Sequence, residues 1–143
     1  MRIDDVLHAK ASPEVVTIVP EAGVRELLAV LAEHNIGAVI VSGDGDAMEG
    51  IVSERDVVRH LHSDGTVVNN TVGAIMTAVV QTCSPDDDLD TVMQTMTDYR
   101  FRHIPVVRDG ELVGIVSIGD LVKHKIEQLQ FERDQLDSYV SQG

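Results

Sequence analysis

Gly50-Ile51-Val52-Ser53-Glu54-Arg55-Asp56 returns, shifted by 64 residues, as Gly114-Ile115-Val116-Ser117-Ile118-Gly119-Asp120. Upstream, Pro20-Glu21-Ala22-Gly23-Val24 matches Pro85-Asp86-Asp87-Asp88-Leu89 at a shift of 65. A repeat of this length marks a unit that cannot bury its apolar face alone, so two copies must share a core and leave a cleft between them. Both copies place a hydroxyl and a carboxylate, Ser-x-x-Asp, directly after an apolar strand.

Working outward, Val15 to Val19 is a β-branched run ended by Pro20, which predicts a short strand. Val24, Leu27, Leu28 and Leu31 recur at helical spacing, and Asn35-Ile36-Gly37 ends that helix with Gly37 free to take φ > 0. Ala38 to Val41 is a buried strand, Gly43-Asp44-Gly45-Asp46 a turn, Met48 to Val52 a strand, and Glu54 to Leu61 a second helix. The second unit repeats this β-α-β-β-α order. Val79 to Cys83 is its first strand, and Ser84-Pro85-Asp86-Asp87 reads as a capped helix start. Leu89, Val92, Met93 and Met96 form an apolar stripe, and Asp109-Gly110 marks a hairpin. Asp120 opens the last helix. Ile3, Val6 and Leu7 ahead of the first unit correspond to Val72, Ile75 and Met76 ahead of the second. These patterns divide the chain into repeat 1 (residues 1–62), a linker (63–70), repeat 2 (71–124) and a helical tail (125–143). The tail carries Ile126, Leu129, Leu136, Tyr139 and Val140 among many charges, a spacing too irregular for a long coiled coil.

The 143 residues carry a formal net charge of −13, with 43% apolar and 3% aromatic residues and no Trp. That charge repels nucleic acid and anionic membranes alike, and stacking platforms for single strands are scarce. One cysteine, Cys83, excludes an internal disulfide, and packing is expected of it rather than reactivity. Met1-Arg2-Ile3-Asp4-Asp5 lacks the pattern of a signal peptide, and no apolar run reaches about 20 residues, so a cytoplasmic location is expected. No Ser-His-Asp or Cys-His arrangement or P-loop stands out; His60-x-His62 and Asp86-Asp87-Asp88 could hold a metal, but a solvated helix end and helix-start acids explain them better, so neither catalysis nor a metal is expected.

Chemically, a carboxylate such as Asp56 or Asp120 can accept the two hydroxyl protons of a ribose. Ser53 and Ser117 sit at helix starts, where free amides point outward toward an anion. Arg55 adds a guanidinium to the first motif, and Arg100, Arg102 and His103 form a basic cluster in an acidic chain. Lys10 could close over a phosphate. The competing explanation is that each Ser-x-x-Asp is a helix cap, contributing about 1 kcal/mol without any ligand. The copies are unequal: Gly119 replaces Arg55, and Gly37-Ala38-Val39-Ile40 replaces Arg102-His103-Ile104-Pro105. Two sites of different affinity, or one working site, follow.

The doubled Gly-apolar-apolar-Ser-x-x-Asp motif, with Arg102-His103-Ile104-Pro105-Val106 before the second copy, resembles a tandem pair of CBS domains, the Bateman module, over about residues 1 to 124. It is most similar to small stand-alone bacterial members. The resemblance implies an α/β pseudo-symmetric pair of β-α-β-β-α repeats with a C-terminal helical extension. It implies a regulatory, non-catalytic module binding AMP, ADP, ATP, NAD(H) or S-adenosylmethionine between the repeats, with no required cofactor. Carried over to this sequence, the site residues are Asp56, Asp120, Ser53, Ser117, Arg55, Thr17, Thr82, Arg102, His103, Pro105 and Lys10. It further implies a homodimer and an unknown protein effector. The dimer is expected to cover the helix stripes at Leu27, Leu31, Val92 and Met96, together with the tail. A structural interaction module with empty clefts is the alternative.

Overall fold

The computed structural model describes residues 1–10, 15–45, 47–78 and 81–142. Its helices are α1 (Ile3–Ala9), α2 (Val24–His34), α3 (Glu54–Ser63), α4 (Val72–Ile75), α5 (Leu89–Tyr99) and α6 (Ile118–Gln142). Its strands are β1 (Thr17–Ile18), β2 (Ala38–Val41), β3 (Gly50–Ser53), β4 (His103–Arg108) and β5 (Glu111–Ser117). In the first unit β1 pairs parallel to β2, and β2 pairs antiparallel to β3. In the second, β4 and β5 form an antiparallel hairpin, and Cys83 adds one parallel bridge to Val106. The mixed α/β pair of repeats with a C-terminal helix is therefore present.

Several local expectations change. The regular part of the first strand is only Thr17–Ile18. The matching strand expected at Val79 to Cys83 falls partly on Val79 and Val80, outside the described residues, as does Asp46 of the expected turn. The left-handed residue ending α2 is Asn35, at φ 51°, and not Gly37. Asn tolerates that region because its short side chain bonds locally. Helix α5 starts later than Ser84-Pro85 suggested. Ser84 to Asp87 form a turn instead, with the Ser84 amide donating to Asp87 Oδ2 at 2.8 Å. Asp88 caps α5, accepting from the amides of Asp90 and Thr91. Asp109 and Gly110, at φ 52° and 81°, make the two-residue turn whose twist suits a hairpin.

The helix stripes are covered within the chain. Leu27 and Leu31 lie in a core with Val39, Val41 and Val52, while Val92 and Met96 lie in a second core with Ile104, Val106 and Val116. The expectation that these four residues need a partner molecule is thus corrected. The reason is an exchange of short helices. α1 follows no strand of its own unit and inserts Ile3 and Val6 into the second core. α4 inserts Val72 and Ile75 into the first. The same backbone bonds make both insertions. The amides of Ile3 and Asp4 donate to the carbonyls of Asp87 and Pro85, while those of Val72 and Gly73 donate to Ala22 and Pro20. Return bonds run from Leu89 to Met1 and from Val24 to Asn70. The expected linker also contributes: Val67, in a single 3-10 turn, is buried in the first core.

This exchange explains the glycine that opens each copy of the motif. A Cβ on Gly50 would stand 2.7 Å from the Thr77 carbonyl oxygen and 2.9 Å from Met76 Sδ. A Cβ on Gly114 would stand 2.6 Å from Leu7 Cδ2. A backbone carbonyl held by the Ile51–Thr77 bridge cannot move aside, whereas the tip of a leucine can. Gly50→Ala should therefore destabilise by about 1–3 kcal/mol, the usual cost of overpacking, and Gly114→Ala by clearly less. Urea denaturation of the two variants checks the order.

Candidate functional site

Each β-strand-to-helix junction after the repeated glycine is closed by the same reciprocal cap. At the first, the Ser53 amide donates to Asp56 Oδ2 at 2.8 Å and the Asp56 amide donates to Ser53 Oγ at 3.3 Å. At the second, the Ser117 amide donates to Asp120 Oδ2 at 2.9 Å and the Asp120 amide to Ser117 Oγ at 3.0 Å. The capping explanation of Ser-x-x-Asp is thus realised twice. Each junction is also tied to the loop before the central strand: the Glu54 amide donates to the Gly37 carbonyl and the Ile118 amide to the Arg102 carbonyl.

The surroundings of the two caps differ. Asp56 opens onto a cleft of about 300 Å³ that also gathers Ser53, Arg55, Arg102, His103 and Pro105 of the expected residues. Among the described residues Asp56 Oδ1 accepts one hydrogen bond, from the Thr77 hydroxyl at 3.4 Å. Arg55, Arg59, Arg100 and Arg102, four of the chain's eight arginines, line this cleft. None of them takes part in an ion pair among the described residues. Exposed Tyr99 and half-buried Phe101, with ring centroids 5.8 Å apart and planes at 13°, form a stack on its rim. Ala38, Ile51 and Pro105 supply an apolar wall. In an acidic molecule, four guanidiniums, apolar surface and a carboxylate converge in this cleft.

Asp120 is occupied by the chain itself. Lys10 places Nζ 3.3 Å from Asp120 Oδ2 and donates to the Ile115 carbonyl at 2.7 Å. In the first unit the matching Ile51 carbonyl accepts the Thr77 amide at 2.9 Å, so the Lys10 ammonium stands in for a backbone donor. Burial would raise the Asp120 pKa, but the Ser117 amide and the Lys10 charge outweigh it and hold this carboxyl below its ordinary range. Neither Asp120 nor Ser117 borders the Asp56 cleft.

The remaining expected residues are scattered. Thr17 lies in β1 opposite Ile40. Thr82 borders a shallow groove with Ser84, Asp87 and Asp109, away from Asp56. His103 is half-buried between the two caps. Burial lowers its pKa, Asp120 and Glu54 pull it up, Lys10 and Arg102 push it down, and the net shift is downward. Cys83 is buried and its thiol is pushed up to about 12, first by burial and then by Asp87, which fits packing. The residues that sequence reasoning missed are Arg59, Thr77, Gln81, Tyr99 and Phe101. Arg59 was legible as the residue one turn after Arg55. The alternation Tyr99-Arg100-Phe101-Arg102 was also legible, although nothing local showed that Arg100 would take φ 60° and turn the segment into the cleft. Among the described residues no group of acidic, His or Cys side chains could hold a metal ion, and no helix is long and apolar enough to cross a membrane.

The profile of the CBS domain matches residues 3–63 and 72–127. A mitochondrial CBS domain-containing protein of Arabidopsis thaliana is 38% identical over 118 residues; the match covers 79% of this chain, which spans only 57% of that relative. The crystal structure of a CBS-domain containing protein from Agrobacterium tumefaciens is 37% identical with a TM-score of 0.83, covering 87% of this chain and 99% of that one. A CBS domain protein from Pyrobaculum aerophilum, solved in complex with AMP, is 25% identical with a TM-score of 0.73 and coverages of 84% and 89%. The CBS domain pair of protein MJ0100, solved with 5-methylthioadenosine and S-adenosyl-L-methionine, is 25% identical with a TM-score of 0.78 and coverages of 90% and 98%. Two profile matches, on two units built around the same glycine, cap and exchanged helix, make this chain a member of the CBS-domain family, with one tandem pair of repeats.

Proposed function

We propose that this chain is a regulatory module whose Asp56 cleft binds an adenosine-containing ligand carrying phosphate, such as AMP, ADP, ATP or NAD(H). The observation that carries the reading is the convergence of Asp56 Oδ1 with four arginines that make no ion pair among the described residues and an apolar, aromatic-rimmed slot. Ribose hydroxyls donate to Asp56. The adenine lies against Ala38, Ile51 and Pro105. The phosphate meets Arg55 and Arg102, and the amides at the start of α3 favour its charge. The AMP complex of the Pyrobaculum protein supports a nucleotide, and the MJ0100 complex supports the adenosine part. S-adenosylmethionine fits the four arginines less well, being cationic at sulfur. Asp120 is already paired with Lys10, so one ligand per chain is expected.

Ligand occupancy shifts populations rather than driving chemistry. Bound phosphate draws Arg55 of one repeat and Arg102 of the other together, and a protein effector in the cytosol reads the result. Leu28, Val58 and Leu61, left exposed on α2 and α3, suit a homodimer contact through the repeat helices. The capping boxes favour a second reading, an interaction module with empty clefts, because both motifs have a complete structural use without ligand.

Calorimetry with AMP separates the two readings. One site per chain is expected. Asp56→Ala should weaken it at least tenfold, since charge-assisted hydrogen bonds contribute about 1.5–3 kcal/mol each, while Asp120→Ala leaves it nearly unchanged. Lys10→Met should add a second, weaker site. No binding at all, in a folded protein, decides for the empty module.

Phosphate selectivity should rest on the guanidiniums. Arg55→Ala and Arg102→Ala are expected to weaken AMP binding by about tenfold while changing adenosine binding little, and added salt should act in the same direction. Equal losses for adenosine and AMP would contradict the assignment.

His103 sets an acid sensitivity. Its folded pKa lies below the ordinary 6.5, mainly through burial, so below that pH the unfolded chain binds more protons than the folded one. Stability should therefore fall as pH drops from about 6.5 toward the lowered folded value. His103→Gln should flatten this part of the urea-midpoint profile measured from about pH 7.5 to about pH 5.5.

A further inference from the structure

We infer that the outer part of α6 pairs with the same helix of a second copy as a short antiparallel coiled coil. Helix α6 is continuous over Ile118–Gln142, and only its first turns rest on the body. Leu121 is buried in the second core, and Lys125 reaches Asp90 at 3.0 Å. From Leu129 to Ser141 every residue is exposed. Val122, Ile126, Leu129, Arg133, Leu136 and Val140 follow one another at alternating steps of four and three, which is the seam of a heptad. The expectation of irregular spacing counted Tyr139 and left out Val122 and Arg133. With those two restored, the stripe runs for about 28 Å on one face. Five of its six positions are apolar and exposed, up to 63% at Leu136 and 69% at Val140.

Charge selects both the occupant and its direction. The helix is basic near the body, at Lys123 and Lys125, and acidic further out, at Glu132, Asp134 and Asp137. A second copy laid antiparallel sets Val122 against Val140, Ile126 against Leu136, and Leu129 against Arg133, whose aliphatic stem packs while its guanidinium reaches out. That register brings Lys123 beside Asp137 of the second copy, twice by symmetry. Neither residue makes an ion pair among the described residues. A parallel pair would instead stack Arg133 on Arg133 in the seam and set Glu132 beside Asp137. The reversed pair also faces Glu132 with its own copy, one repulsion against the two Lys123–Asp137 attractions, whereas the parallel pair holds two Glu132–Asp137 repulsions besides the stacked Arg133; reversal is therefore the better match, and it satisfies the two-fold symmetry of an isologous contact. The inference is independent of any ligand in the Asp56 cleft and of any contact through the repeat helices.

Sedimentation of the full chain tests it. At tens of micromolar, Leu129→Asp/Leu136→Asp should halve the assembled mass while leaving AMP binding and helix content near wild type. A repeat-face dimer would persist in that variant and be read as a separate step. Lys123→Glu and Asp137→Lys should each weaken the tail-dependent step by about tenfold, because each turns two attractions into two repulsions. An equimolar mixture of these two single variants should restore it, since each then meets its opposite charge. A wild-type mass equal to that of the double-Asp variant overturns the pairing. Weakening by the single variants without recovery in the mixture overturns the antiparallel register.

Discussion

Neither repeat closes its own core. The first needs Val72 and Ile75 from the segment that precedes the second, and the second needs Ile3 and Val6 from the start of the chain. Fully buried isoleucine and valine side chains contribute about 1.5–3 kcal/mol each, so losing an exchanged helix removes a large part of a domain's margin of stability. The exchange makes the two repeats one cooperative body although their sequences are laid end to end. It also brings the segments before each repeat alongside the other motif's sheet edge: Thr77 bridges Ile51, and Lys10 reaches Ile115.

That placement turns a near-symmetric fold into an asymmetric site. The caps at Asp56 and Asp120 have nearly the same geometry, and their loops are tied by matching backbone bonds. The difference lies in which side chain the crossing segment delivers. Thr77 is neutral and touches Asp56 at hydrogen-bond length, whereas Lys10 sets a full charge against Asp120. A partly buried ion pair with an additional carbonyl acceptor is hard for a neutral ribose hydroxyl to displace. Duplication thus preserves the frame, and single substitutions such as Gly119 for Arg55 decide which cleft keeps its cations.

What the sequence made legible follows the range of the forces involved. The β-α-β-β-α order, the paired helix stripes at Val24, Leu27, Leu31 and Leu89, Val92, Met96, and the hairpin at Asp109-Gly110 are local or periodic signals. The correspondence of Ile3, Val6 and Leu7 with Val72, Ile75 and Met76 was visible too. Its consequence was not, because which core a short amphipathic helix enters is a matter of tertiary connection. The same holds for the site. Ser53, Asp56, Arg55 and Arg102 stand in readable motifs, while Thr77, Gln81 and the Tyr99–Phe101 stack reach the cleft only through the crossing and through the left-handed Arg100. The helix stripes at Leu27 and Met96 were read as needing a partner because the exchange that covers them leaves no periodic trace.

The wall of the Asp56 cleft is also the foot of the long helix. Arg102 and His103 face the cleft, and the next hydrogen bond along the backbone carries the Ile118 amide to the Arg102 carbonyl at 2.8 Å. Three residues on, Leu121 is locked into the second core. The 99–103 segment and the first turn of α6 thus share one backbone bond beside a close-packed core. A helix is stiff over its length, and a small rotation at Ile118 becomes a larger displacement at Leu136, about 27 Å further along the axis. The fold thus sets the cationic cleft at the foot of this helix and leaves Leu129, Leu136 and Val140 exposed along its outer part.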